Sequence, residues 1–147
     1  MRKILVIEDQ FEIRENLKEI LTLSGYDVIT ANDGKEGIKK SLDANPDLIL
    51  CDIIMPNLDG FGTLEILNNN RKTAGIPVIF LTAMAEKEDF RKGMSLGAFD
   101  YITKPFDDVT LLKTIETRLE KFELLKKASV PQTGSFDQFI SEARGVD

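Results

Sequence analysis

The chain has 147 residues, the size of one domain on the usual ~100–200 residues per domain. It carries 25 Asp plus Glu against 19 Lys plus Arg, a formal charge of −6, with no His, no Trp and one Cys. These counts exclude a Ser-His-Asp or Cys-His site, a structural zinc site of about four Cys or His ligands and an intramolecular disulfide, and the acidic balance argues against a basic nucleic-acid-binding face.

The N-terminal run Met1-Arg2-Lys3-Ile4-Leu5-Val6-Ile7 is too short for a signal peptide, and no apolar stretch approaches the ~20 residues that span a bilayer. With a single cysteine, this predicts a cytoplasmic domain. Ile4–Ile7 reads as a first strand, continuously apolar as a strand covered on both faces should be. Ile13, Leu17, Ile20, Leu21 and Ser24 then fall on one helical face, closed by Ser24-Gly25. Val28–Thr30 is a second strand. Asp33 with Glu36 has the spacing of a capping box, as does Asp9 with Glu12. Asn45-Pro46 precedes a third strand, Leu48–Cys51, and Gly75-Ile76-Pro77 precedes a fourth, Val78–Leu81. Gly97 comes before the fifth, Tyr101–Thr103. The last helix, about Asp107 to Lys127, places Leu112, Ile115, Leu119 and Phe122 at helical steps. It is long for a compact domain, and Leu119, Phe122 and Leu125 on one side suit a coiled-coil-like dimer seam.

The ordered pattern ends near Leu125. From Lys126 to Ser135 the chain reads as a linker, and Phe136, Phe139 and Ile140 have the spacing of a short amphipathic helix within residues 136–143. The expected organisation is a domain over 1–125, then a linker and tail over 126–147 that would start a missing output domain. Lys126, Lys127 and Arg144 balance Asp137, Glu142 and Asp147, so the whole −6 belongs to the domain.

Five strands alternating with five helices predict an α/β fold with a doubly wound parallel sheet. Right-handed crossovers place helices on both faces, with the first and third strands central. Ligands of such sheets sit at the carboxyl ends of the strands, where the winding reverses. Glu8 and Asp9 follow the first strand, Asp52 the third, Thr82 the fourth and Lys104 the fifth. Three carboxylates, a hydroxyl and an ammonium therefore meet at one edge. Two unit charges ~5 Å apart repel by roughly 3 kcal/mol at an effective dielectric of ~20, more than one lysine offsets across three carboxylates. A divalent cation does so, and an all-oxygen donor set selects Mg²⁺. An ion with open positions, together with Lys104 and Thr82, would neutralise a phosphoryl group, and Asp52 would be its nucleophile.

Each residue also has a plainer reading: Asp9 as a helix cap, Asp52 as a turn residue before Pro56, Thr82 as a strand-end hydroxyl, Lys104 as a solvated loop lysine. Their shared location at the ends of four strands favours the site. With Ile4-Leu5-Val6-Ile7-Glu8-Asp9, Asp52-Ile53-Ile54-Met55-Pro56, Asp59-Gly60, Phe80-Leu81-Thr82-Ala83, Gly97-Ala98-Phe99-Asp100-Tyr101 and Lys104-Pro105-Phe106 in this order, residues 2–125 resemble the receiver domain of bacterial two-component response regulators, the CheY-like family.

That resemblance implies a flavodoxin-like sheet of order 2-1-3-4-5 and a phosphoryl group accepted by Asp52 from a histidine kinase or a phosphotransfer domain. It assigns Mg²⁺ to Asp9, Asp52 and the backbone carbonyl of Ile54, with Glu8 acting largely through water. Lys104 would pair with the phosphoryl oxygens, on a cis Lys104–Pro105 bond. Thr82 would move toward the phosphoryl group and Tyr101 inward behind it, remodelling the face of the fourth helix, fifth strand and fifth helix. That face is also where a homodimer would form. The output would be transcription, through a DNA-binding domain outside residues 1–147, which themselves show no element for reading nucleic acid. The domain would catalyse only its own phosphorylation and dephosphorylation, not turnover.

Ile54 and Met84, two residues after Asp52 and Thr82, border the path of the attacking water in receivers and can neither orient it nor donate a proton. Slow self-dephosphorylation follows. Two other readings compete: a haloacid-dehalogenase-type phosphohydrolase, which usually has an acid where Ile54 stands, and a pseudo-receiver that keeps only the fold. Cys51, beside Asp52 in a central strand, reads as buried filler.

Overall fold

The structure, a computed structural model, describes residues 1–83 and 87–129. Met84 and the predicted tail helix over 136–143 lie outside the described residues. The elements are β1 (Lys3–Ile7), α1 (Phe11–Leu23), β2 (Asp27–Ala31), α2 (Gly34–Ala44), β3 (Leu48–Asp52), α3 (Gly60–Asn68), β4 (Val78–Thr82), α4 (Lys87–Ser95), β5 (Asp100–Thr103) and α5 (Asp108–Ser129). The strands form one parallel sheet in the order β2-β1-β3-β4-β5, the predicted topology.

Every residue of β3 and β4 is buried, as is all of β1 except Lys3, which explains their unbroken apolar composition. Alternation splits each strand between two faces. Leu5 and Ile7, Ile49 and Cys51, and Val78 and Phe80 join Phe61, Leu64 and Leu67 of α3 in one core. α2 closes onto the same side, with Gly37 against the Ile7 side chain. The intervening Ile4, Val6, Leu48, Leu50, Ile79 and Leu81 point the other way and are buried too. α1, with Leu17, Ile20 and Leu21 buried, packs on β1 and β2.

The breakers act as the sequence predicts. Ser24 caps α1 and Gly25 follows at φ +96°, while Asn45 ends α2 in the left-handed region at φ 50°. The capping-box expectation holds at one place and fails at the other. The Asp33 side chain accepts from Glu36 N at 2.8 Å, and Glu36 reaches back to Asn32 N at 2.6 Å. α1 instead starts at Gln10 with no side-chain cap, because the Asp9 carboxylate turns toward Glu8 and Asp52.

The chain divides within α5 into two compact units, Met1–Thr114 and Ile115–Asp147. On α5 the buried stripe is Leu111, Ile115 and Leu119, at steps of four. The predicted stripe started one residue late, and Leu112 and Phe122 are only half-buried. Of the residues proposed for a dimer seam, Leu119 is buried, Phe122 half-buried and Leu125 exposed. Among the described residues, no helix is long and apolar enough to cross a membrane.

Candidate functional site

β1 is flanked by β2 on one side and β3 on the other, so the winding reverses between β1 and β3. The register pairs Ile7 with Cys51, which brings the residues just beyond them, Glu8 and Asp52, to the same level. Asp52 pairs with Leu81, so Thr82 stands one residue further on, and Thr82 pairs with Thr103, just before Lys104. Lys104 N donates to the Thr82 carbonyl at 2.8 Å, tying the lysine's backbone to the end of β4. The Lys104–Pro105 bond is cis, as expected.

Side chains gather accordingly. Carboxylate oxygens of Glu8, Asp9 and Asp52 all lie within 4.8 Å of one another. Lys104 Nζ donates to Glu8 Oε1 at 3.0 Å and to Asp52 Oδ2 at 3.3 Å. Glu8 is fully buried, Asp52 nearly so, and Lys104 half-buried. Asp9 Oδ1 is buried and has no hydrogen-bond partner among the described residues. Thr82 is buried at the strand end.

Electrostatics follow from this crowding. Burial first, and then the charge of Asp52, push the Glu8 carboxyl up to about 7. Burial alone would lower the Lys104 ammonium, but its bond to Glu8 and the charge of Asp52 outweigh that and hold it above its ordinary value. Burial raises the Cys51 thiol, whose Sγ donates to the Asp52 carbonyl at 3.3 Å, so the cysteine is an inert core residue. One lysine against three carboxylates leaves a deficit of positive charge. An orphaned buried oxygen and a donor set made only of hard carboxylates suit a metal ion here.

Of the residues predicted from sequence, the structure joins Glu8, Asp9, Asp52 and Lys104 by measured contacts and sets Thr82 on the adjacent strand end. Ile54 follows Asp52 with its side chain 60% exposed. Tyr101 lies further along the sheet, its ring 5.7 Å from that of Phe80, which in turn lies 5.5 Å from Phe61, both pairs edge-to-face. Its hydroxyl occupies the space where a Cβ on Gly93 of α4 would stand. Sequence reasoning singled out neither Gly93 nor this aromatic row, nor any contact of Arg14 with the acidic loop. Yet the Arg14 guanidinium donates to the Glu8 carbonyl at 2.9 Å.

The doubly wound parallel sheet thus carries an acidic, lysine-bridged pocket at its switch point. The sequence profile of the response regulator receiver domain matches residues 4–116, and the chain belongs to that family. It is 40% identical over 122 residues to the probable transcriptional regulator ycf27 of Cyanophora paradoxa, covering 83% of this chain and 50% of that protein. It is 36% identical over 129 residues to the DNA-binding dual master transcriptional regulator RpaA of Synechocystis, covering 88% and 54%. Among solved structures, the chemotaxis protein CheY4 of Vibrio cholerae superposes with a TM-score of 0.77 at 33% identity, over 80% of this chain and 98% of that one. The chain spans about half the length of the curated relatives it matches.

Proposed function

We propose that Asp52 is the phosphoacceptor of this receiver domain, taking a phosphoryl group from the phosphohistidine of a partner kinase or phosphotransfer domain. The observation that carries this reading is the pocket itself: three carboxylates within 4.8 Å, with one lysine bridging two of them. An Asp52 oxygen attacks phosphorus as the P–N bond breaks, and the histidine leaves with a proton. Lys104, on Asp52 Oδ2 before transfer, then pairs with a phosphoryl oxygen. Glu8, Asp9, Asp52 and the Ile54 carbonyl would hold Mg²⁺, which supplies charge neutralisation for the equatorial phosphoryl oxygens. The chain has no His, so the donor must come from another protein or domain.

The transferred group adds about −1.5 to −2 charges beside Lys104 and the end of β4. Thr82 donates to it, and Tyr101 moves into the space that Thr82 leaves. This biases a two-state face made of α4, β5 and α5, on which copies of the domain pair. The receiver covers about residues 1–125, α5 continues to Ser129, and the rest of residues 126–147 is the linker and tail toward an output segment. The relatives' printed roles and their length beyond the matched segment support transcription as that output, through DNA binding outside these residues.

Incubation with a small phosphodonor and Mg²⁺ tests the reading. Intact-protein mass should rise by one phosphoryl group, and Asp52→Asn should abolish the gain. No gain by a folded wild-type chain would make this an interaction module that keeps only the fold.

A further inference from the structure

The loop that carries Glu8 and Asp9 turns three consecutive carbonyls toward one residue. Arg14 Nη1 donates to the Glu8 carbonyl at 2.9 Å and to the Asp9 carbonyl at 3.5 Å, and Arg14 N donates to the Gln10 carbonyl at 2.9 Å in the first i→i−4 bond of α1. The guanidinium carbon lies 5.4 Å from the Phe11 ring centroid, which restrains the side chain from a second direction. The loop is fixed from its other side as well: Glu8 N donates to the Ala31 carbonyl at 3.1 Å and Gln10 N to Glu8 Oε2 at 3.2 Å. No side-chain cap at the start of α1 shares this task.

Holding the carbonyls outward has a consequence for the carboxylates. Glu8 and Asp9 repel each other and Asp52, so a free loop would turn Asp9 into solvent. We infer that Arg14 is a positioning residue for the metal site: it clamps the backbone of the acidic loop so that Asp9 faces Asp52. This rests on the proposed reading of the pocket as a Mg²⁺ site. Nη1 alone makes both contacts, and the planar guanidinium fork, held beside Phe11, fixes the directions of its N–H groups, whereas a lysine ammonium turns freely on its stem.

The plain alternative makes the opposite prediction. As a bare positive charge near a cation site, Arg14 would weaken metal binding, and removing it would tighten binding. As a clamp it strengthens binding, and removing it loosens the ligands. Residues that orient metal ligands typically contribute about ten- to a hundredfold in affinity.

Thermal unfolding of the full chain across a MgCl₂ series gives the apparent dissociation constant through linkage. Arg14→Met keeps the aliphatic stem over Phe11 and loses the donors, and Arg14→Lys keeps the charge and loses the fork. Arg14→Met should raise the Mg²⁺ dissociation constant about tenfold, and Arg14→Lys about threefold. The Tm of Arg14→Met in EDTA should stay level or rise, because the repelling carboxylates can separate; a purely structural arginine would lower it. Mg²⁺ binding by Arg14→Met within twofold of wild type, or tighter, overturns the inference, as does a Tm lowered in EDTA with the Mg²⁺ response intact. Should Arg14→Met not fold, Arg14→Lys decides, and wild-type affinity in it overturns the clamp. A wild-type chain that shows no Mg²⁺ response would instead overturn the metal-site reading, a separable failure.

Discussion

Without metal, the pocket should be a source of instability, and Asp9 and Asp52 should contribute to it unequally. Their oxygens lie within 4.8 Å of one another. At an effective dielectric of about 20, each ionised pair repels by about 3–4 kcal/mol. Lys104 offsets this for Glu8 and Asp52, with contacts at 3.0 and 3.3 Å worth about 5 kcal/mol each on the same scale. No such ion pair reaches Asp9 among the described residues, and its buried Oδ1 lacks a partner. Asp9→Asn removes two repulsions, gives up no ion pair and supplies an amide that can donate to a neighbouring carboxylate. Asp52→Asn removes two repulsions but also the Lys104 contact. Allowing for the half-exposed position of Asp9, the first variant should gain about 2 kcal/mol and the second about half of that. Urea unfolding in EDTA at pH 8, where Glu8 is mostly ionised, checks this: the Asp9→Asn midpoint should rise by about 1 M. In saturating Mg²⁺ the ranking should reverse, since only wild type keeps every ligand. An Asp9→Asn midpoint below wild type in EDTA, or an Asp52→Asn gain exceeding it, would refute the charge argument.

Four further outcomes follow from the structure. Glu8 titrates near 7 when folded against 4.5 ordinarily, so its contribution to stability is complete below pH 4.5 and is lost as pH rises through about 7. Glu8→Gln should flatten the EDTA stability profile between pH 5 and 8, and parallel profiles would count against that shift. Gly93→Ala should lower the Tm, because its Cβ would meet the Tyr101 hydroxyl. In a Tyr101→Ala background it should instead raise the Tm by a few degrees through helix propensity, and a cost of equal size in both backgrounds would show that the contact is not the cause. Asp33→Ala removes the cap of α2 and should cost about 1 kcal/mol by chemical denaturation. Ile54→Asn, placing a polar side chain at an exposed position two residues after Asp52, should shorten the lifetime of phosphorylated protein severalfold. An unchanged lifetime would count against Ile54 as a determinant of decay.

The acids and the lysine were legible because a parallel sheet converts sequence position into place. A residue that follows an apolar run of four must stand at a strand's carboxyl end, and Ile7 pairing with Cys51 does the rest. The same logic could not choose between two uses of Asp9. Asp9 and Glu12 have the capping spacing of Asp33 and Glu36, but only Asp33 caps. What separates them is Arg14, whose side chain reaches back six residues to the Glu8 carbonyl. No periodicity marks a side-chain contact to backbone carbonyls, since the acceptor is the same at every position in the chain. Gly93 escaped for a related reason: a glycine inside a helix reads as a weak helix former until Tyr101, eight residues on, is seen to occupy its missing Cβ. Ile115 and Leu119 are buried as predicted, but the first position of the α5 stripe fell one residue late because Leu111 and Leu112 are adjacent and equally apolar, and only packing distinguishes the buried from the half-buried one. Residue type therefore exposed the acids and the lysine of the pocket, while the contacts around them run through the backbone and through absent atoms, and these appear only once the chain is folded.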